Sequence, residues 1–584
     1  MKKLLYFFLP ALLLCGCARQ TPTAETVPVS PTVAVAPDMF TDRDQRTEVK
    51  SNYTIVLSDS GSTSDCGSVE ITGSAITLTQ EADYKISGAL TDGMIIVDSA
   101  KDAKVHLIFD NVSLSNSCGA ALYIKQADKV VITLNGSNTL ASGAVFTPID
   151  DNDIDSTVFS KDDLTFNGTG ALTVTAPAGH GIVSKDDLVF TGGSYTVTSA
   201  NHGLDANDSI RVKDSDFQIT AGKDGLHAEN NDDTTLGFIY LENGSFNIQA
   251  EGDGISAGSY VQIIDGTYEI LTGGGYVNGQ KQTSDYFGGF GGRPGGTGGG
   301  RPGGRPGGHY TPTANTEVTD TTDSGSIKGI KAGTALNIAG GNFSIDSADD
   351  ALHANTDVTI CGGDFQLSTG DDGIHADETL SLSGGKVVVT ASYEGLEGLN
   401  VHISGGNITL TARDDGINAA GGQDQSGYGG IRGDRFGGHG GASNGSIVIS
   451  GGTIYMNASG DGIDANGTLT ITGGHTTVCG PTSGDTAVLD YDQTATITGG
   501  TFIGTGSSMM AQSFSEATQG VIAISVGNQG AGTPISVKDL KGAVLLDETP
   551  ILGYQIFIFS APELKAGESY SVTIGSMIET ITAN

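Results

Sequence analysis

The chain has 584 residues, of which 37% are hydrophobic, 16% are charged and 89 are glycine. It exceeds one ordinary globular core and so needs several domains or a solenoid. Its 67 Asp and Glu outnumber 29 Lys and Arg, a net charge of −38; this argues against nucleic acid, whose phosphates need cationic side chains, and fits bound cations such as Ca²⁺ or a solvated acidic surface.

Lys2 and Lys3 precede an apolar run from Leu4 to Leu14, and Cys15, Gly16 and Cys17 follow. A basic start, a short apolar core and small residues before a cut form a secretory signal, and the run is too short to span a bilayer. The ending resembles a bacterial lipobox, which implies cleavage before Cys17 and attachment of lipid there; a signal peptide with an incidental cysteine is the alternative. Residues 1–17 are read as the lipoprotein signal, which places the protein outside a bacterial membrane. Residues 18–50, rich in Thr, Pro and Val, are read as an extended tether.

From 51 to about 146 the strands are longer and more hydrophobic, as in Val105 to Phe109 and Val130 to Leu134. They are read as the irregular first coils of a solenoid. Beyond them a phrase recurs: DGLHAE at Asp224, DGISAG at Asp253, DALHAN at Asp350, DGIHAD at Asp372, DGINAA at Asp415 and DGIDAN at Asp461. Weaker copies begin at His180, His202, Lys328 and Glu394, and the prevailing step is about 22 residues. Such a period means a stacked array. Within each repeat Gly-Gly and Asp-Gly steps separate short alternating segments, such as Phe365 with Leu367, Ile374 with Ala376 and Leu380 with Leu382. Three short strands and three turns per repeat make one coil of a parallel β-helix spanning 51–510.

Stacking aligns equivalent positions about one strand spacing apart. The residue before Gly forms one column, Asp350, Asp372, Glu394, Asp415 and Asp461. Three positions on runs a second: His353, His375, Glu397, Asn418 and Asp464. Ile374 and Ala376 are expected to point inward, with Asp372, His375 and Asp377 displayed outward or at the turn. Like charges at this spacing repel, no matching Lys or Arg is apparent, and shared divalent cations relieve the repulsion. The candidate metal ligands are Asp224, Asp253, Asp349, Asp350, Asp371, Asp372, Asp414, Asp415, Asp461 and Asp464. The competing reading is that Asp-Gly makes turns, each Asp capping its own backbone; it accounts less well for the Asp-Asp doublets. His202, His227, His353 and His375 lack a zinc spacing on one helix and are read as turn or capping groups.

Glycine-rich insertions at about 273–324 and 421–443 interrupt the array and carry Arg and aromatic residues, including Tyr286, Phe290 and Phe436. They are read as low-complexity loops, or as loops that grip a sugar. Cys361 and Cys479 lie about five repeats apart and cannot bridge; a Cys66–Cys118 pair stays open. From 511 the repeat stops, and Val521 to Val526, Ile551 to Phe559 and Tyr570 to Ile578 read as a small β cap over the end of the stack.

The segments Ile86 to Asp98, Val105 to Val112 and Ala561 to Val572, with the repeated D-G-I-x-A phrases between them, resemble in order the bacterial carbohydrate-binding family similar to the clostridial cellulose- and pectin-binding β-helix protein. The resemblance implies a right-handed parallel β-helix similar to polysaccharide lyases, bound Ca²⁺, and binding of acidic plant polysaccharide without turnover. It assigns no individual aspartate to metal.

Three functions are therefore weighed. The first is a surface-anchored, monomeric, calcium-dependent binder of acidic polysaccharide, and possibly of cellulose, joined to the membrane through lipid alone. Trp is absent, which removes the usual platform for crystalline cellulose and favours uronate glycans. The second is a pectate-type lyase using Ca²⁺ and a basic residue among Lys185, Lys213, Lys223, Lys328 and Lys331, each otherwise a solvated surface lysine. The third is an adhesive surface protein without a glycan ligand.

Overall fold

The computed structural model describes residues 39–48, 50–279, 325–419, 444–482, 484 and 486–584. The signal with Cys17, most of the tether and the bodies of both glycine-rich insertions lie outside the described residues. Apart from one 3₁₀ turn at Tyr276–Asn278, the regular structure among the described residues is β-strand.

A representative coil contains the strands Leu352–Ala354, Asp357–Ile360 and Asp364–Thr369. Each pairs in parallel with its counterpart one winding on: Leu352 faces Ile374, Val358 faces Leu380 and Phe365 faces Val387. This pairing repeats coil after coil to Thr501–Gly506, so the chain is a parallel β-helix. In two coils the short strand and its successor fuse, as Ile374–Leu382 and Leu396–Ile403, with a register shift after Ala376.

Alternation sends every second side chain into the bore. Along Asn342–Ser347, Phe343 and Ile345 are buried while Asn342 and Ser344 are exposed. Because the register is preserved, Phe217, Phe246, Tyr268, Phe343 and Phe365 stack in one internal column, with centroids 5.3, 5.0, 4.7 and 4.5 Å apart. No single coil buries this face; its neighbours do. The Gly-Gly turns have two distinct causes. A Cβ on Gly384 would lie 2.3 Å from the Cys361 carbonyl oxygen of the preceding coil, whereas Gly385 sits at φ +84°, which L side chains rarely adopt.

Both ends depart from the plain repeat. At the start, residues 39–46 do not continue as tether but lie against the flank of the early coils. Asp44 is fully buried there, 2.7 Å from Lys129 Nζ, and accepts the Thr165 hydroxyl proton at 2.6 Å. Asn167 donates to the Asp44 carbonyl and Arg211 to that of Met39. Burial alone would raise the Asp44 pKa, but hydrogen bonding to Lys129 and Thr165 holds it below the ordinary value. At the far end Tyr554–Ser560 pairs antiparallel with the last coil strand, Thr501–Gly506, and with Val521–Gln529. A separate antiparallel sheet of Val544–Glu548, Ile535–Asp539, Ser569–Ile574 and Met577–Thr582 follows, with its own apolar cluster. Antiparallel pairing thus terminates the open edge of the stack. Cys66 and Cys118 are not joined, Cys479 is buried and Cys361 is half-buried.

Candidate metal centre

The recurring phrase sits where the long strand of a coil turns into the three-residue strand. Its aspartates do not cap their own turns. Each reaches along the stack to the next coil: Asp224 Oδ1 accepts the N–H of Asp253 at 2.7 Å, and Asp253 Oδ1 that of Lys328 at 2.7 Å. Asp350 accepts from Asp372 at 3.0 Å, Asp372 from Glu394 at 3.1 Å, and Asp415 from Asp461 at 2.5 Å. Asp461 in turn accepts the N–H of Ala487. Each such bond contributes about 0.5–3 kcal/mol, most where the acceptor is charged, so the phrase is first a coil-to-coil staple. Its glycine follows from the same closeness, since a Cβ on Gly373 would meet the Gly395 carbonyl oxygen at 2.5 Å.

This geometry overturns the expected outward display. Asp350, Asp372 and His375 are 0%, 1% and 1% exposed, because side chains aimed along the axis are covered by the coils on either side. Asp253, Asp349 and Asp371 are buried as well, Asp224 nearly so, whereas Asp414, Asp415, Asp461 and Asp464 are only half-buried. The second column holds as aligned: His353 faces His375, His375 faces Glu397, Glu397 faces Asn418 and Asn418 faces Asp464. It extends beyond the sequence reading, to Asp490 in one direction and through Lys331, Ser256 and His227 to Asp205 in the other.

The expectation that the columns lack cations fails in the middle. Lys328 occupies the column position of its own phrase, buried, with Nζ 2.6 Å from Asp350 Oδ2 and 3.1 Å from Asp349 Oδ2. Lys331, in the second column, lies 3.7 Å from Asp253 Oδ2. Burial would raise Asp350, but Lys328 overrides it and holds that carboxyl well below its ordinary range. The two histidines differ: His375 Nδ1 is 2.6 Å from Glu397 and, against burial, its carboxylate neighbours raise it well above its ordinary value, whereas burial and Lys328 lower His353, 2.8 Å from Asp350, to about 4 and leave it a neutral partner. K-G-I-K-A-G carried the signal, as a repeat with Lys at both column positions.

Past His375 the compensation ends. Among the described residues no Lys or Arg pairs with Glu394, Asp415, Asp461 or Asp464. Burial pushes all of them up, and their mutual repulsion adds to it. Asp464 rises to about 6 beside Asp490, Asp461 to about 7, and Glu394 and Asp415 lie well above their ordinary values. Glu397 is raised to about 8 by burial and Asp372, against the pull of His375. Two buried oxygens here, Glu394 Oε2 and Asn418 Oδ1, receive no hydrogen bond, although Asn418 Nδ2 donates to the other Glu394 oxygen at 3.0 Å. A dense oxygen-only donor set with orphaned buried oxygens fits a hard cation such as Ca²⁺, which takes 6–8 oxygen ligands. Glu394, Glu397, Asp415, Asn418, Asp461 and Asp464 are the side chains that would hold it. Potential ligand atoms lie within 4.8 Å of one another in Asp349 with Asp350 and Asp371, in Asp350 with His353 and His375, in Asp372 with His375 and Glu397, in Asp163 with Asp186 and Asp187 at another corner, and in His202 with Asp224 and His227.

A sequence model described as that of a carbohydrate-binding domain-containing protein matches residues 72–373 and 371–530. A carbohydrate-binding domain-containing protein of Acetivibrio thermocellus is 37% identical over 126 residues, covering 21% of this chain and 44% of that one. The chain therefore aligns with less than half the length of that relative. A solved structure titled as the polysaccharide lyase-like protein from C. thermocellum, in a gadolinium derivative, is 32% identical, with a TM-score of 0.37, covering 38% of this chain and 92% of the other.

Proposed function

This chain belongs to the family of carbohydrate-binding domain-containing proteins, and from that premise we propose that it binds acidic, pectin-like polysaccharide in a calcium-dependent manner without turning it over. The observation that carries this reading is the cation-starved run from Glu394 to Asp464, half-buried and therefore reachable at Asp415, Asp461 and Asp464. Ca²⁺ held there would supply a positive centre for uronate carboxylates on an otherwise acidic surface. The chain's own residues set the site's position and shape: the staple from Asp415 to Asp461 fixes two windings in register, and Asn418 orients Glu394. We further propose export and lipid attachment at Cys17, with the helix held outside the membrane as a monomer.

The surroundings of two lysines weigh against a lyase. A proton-abstracting lysine must be neutral, whereas the paired aspartates keep Lys328 charged and Glu242 at 3.0 Å raises Lys213. Equilibrium binding to polygalacturonate, with cellulose in parallel, tests the proposal. Affinity for polygalacturonate should be saturable in Ca²⁺ and abolished by chelator. Binding indifferent to both polymer charge and Ca²⁺ would sink it, and absorbance from unsaturated uronates would replace it with the lyase.

A further inference from the structure

The other end of the ladder offers different donors. In the coils from His202 to Glu229 the columns carry imidazoles beside carboxylates. His202 Nδ1 lies 3.3 Å from Asp224 Oδ2, and His227 Nδ1 lies 2.8 Å from Asp205 Oδ1. The rings of His202 and His227 stack at 4.3 Å and 16°, so the two nitrogens come from adjacent windings. One ligand atom each from His202, Asp224 and His227 falls within 4.8 Å of the others, without large rearrangement from the spacing that a four-coordinate ion imposes.

A second observation points to a missing positive charge. The Asp224 N–H donates to His202 Nδ1 at 3.2 Å, which makes that nitrogen the bare one. The same bare nitrogen faces the Asp224 carboxylate, itself an acceptor. Two acceptors in contact inside a nearly buried crease form a pair that a shared cation would bridge. We propose that His202, Asp205, Asp224 and His227 form a site for a borderline transition metal, of which Zn²⁺ is the representative. It is separate from the oxygen-only run and selective against Ca²⁺, because imidazole nitrogen suits Zn²⁺ whereas Ca²⁺ takes oxygen. Glu229 Oε2, 3.5 Å from His227 Nε2, is placed as the outer carboxylate that orients a ligating imidazole. A cleft of about 180 Å³ opens beside Asp224, between Glu251 and Ser326.

The full chain, stripped with chelator and held in excess Ca²⁺, is titrated with Zn²⁺ by calorimetry and with Co²⁺ by visible absorption. The expected result is one saturable Zn²⁺ equivalent that displaces Co²⁺ from a nitrogen-containing field. Asp205→Asn and His227→Gln should each weaken it at least about tenfold, the lower bound for losing even an outer-shell partner. Glu397→Gln, in the oxygen-only run, should leave Zn²⁺ affinity unchanged, which separates this site from the calcium proposal. Zn²⁺ bound no more tightly than Ca²⁺ by the unmodified protein, or Zn²⁺ affinity unchanged in folded Asp205→Asn, would overturn the assignment. Should His227→Gln fail to fold, the Asp205→Asn result and the Co²⁺ spectrum of the unmodified chain still decide it.

Discussion

Replacing Asp461 by Asn should stabilise the cation-free protein at pH 8. The amide keeps an oxygen for the Ala487 N–H that Asp461 now accepts, so the staple survives while the charge is removed. In the folded chain the carboxyl titrates at about 7 against an ordinary value of 3.8, because it is buried and faces Asp464 and Asp490. A raised carboxylate pKa means that the contribution to stability is fully present below about pH 4 and is lost as pH climbs through about 7. At 1.36 kcal/mol per unit, full conversion gives a ceiling of about 4 kcal/mol at pH 8. The side chain is only half-buried and its titration is shared with neighbours, so screening brings the expected relief to about 1–2 kcal/mol. Against this stands roughly 1 kcal/mol for exchanging a charged acceptor for a neutral one. The variant should therefore unfold at a higher denaturant midpoint than the parent at pH 8 in chelator, and at an equal or lower one at pH 4. Saturating Ca²⁺ should reverse the order, since only the parent keeps the full ligand set, and a ligand at 100 times its dissociation constant adds about 2.7 kcal/mol. If Asp461→Asn destabilised the chelated protein equally at both pH values, the argument from uncompensated charge would be wrong.

The same substitution one half-ladder away should have the opposite sign. Asp350→Asn leaves Lys328 buried with Asp349 alone, so a loss of about 2–3 kcal/mol is expected at pH 7, somewhat under the ~3–5 for a fully orphaned buried ion; a neutral or stabilising effect in urea unfolding would contradict it. Because the Asp350 pKa is depressed, this stabilisation is present above about pH 4 and fades as pH falls through the folded value. Gly384→Ala should cost about 1–3 kcal/mol through its clash with the Cys361 carbonyl; a melting temperature within error of the parent would show that the coil spacing is looser than described. Asp44→Ala strands Lys129 beside only Asp163 at 3.7 Å, and should cost roughly 3 kcal/mol with release of residues 39–46, read as faster amide exchange and early proteolysis there.

The solenoid was legible because its cause is periodic. A 22-residue step, inward pairs such as Ile374 and Ala376, and Gly-Gly at fixed offsets report the same geometry in every coil, and the second column was read in register from spacing alone. The direction of the aspartates was not legible. Asp372 precedes the strand that starts at Ile374, so alternation does not set its direction; that it turns along the axis depends on a backbone N–H belonging to the next winding. The proposed ligand roles for His202 and His227 were not legible because metal spacing was sought within one stretch of chain, whereas here the donors meet one coil apart. Asp205 and Asp490 escaped for lack of a preceding Asp-Gly, although both lie at the column offset.

The staple explains why each coil carries an acceptor before its glycine, but not why that acceptor is charged. An asparagine oxygen could receive the next N–H with no repulsion between windings. Where the ladder contains Lys328, Lys331 and His375, the charge is returned as ion pairs, and structure alone accounts for it. At Glu394, Asp415, Asp461 and Asp464 no lysine or arginine among the described residues returns it: burial and neighbouring carboxylates oppose ionisation at successive positions. A folding requirement is met there at a cost that a neutral side chain would avoid. The free energy is recovered if a cation binds, and the site is then poised rather than merely strained. The distribution of compensation along one continuous ladder, more than its total acidity, separates the part that holds the helix together from the part left for a ligand.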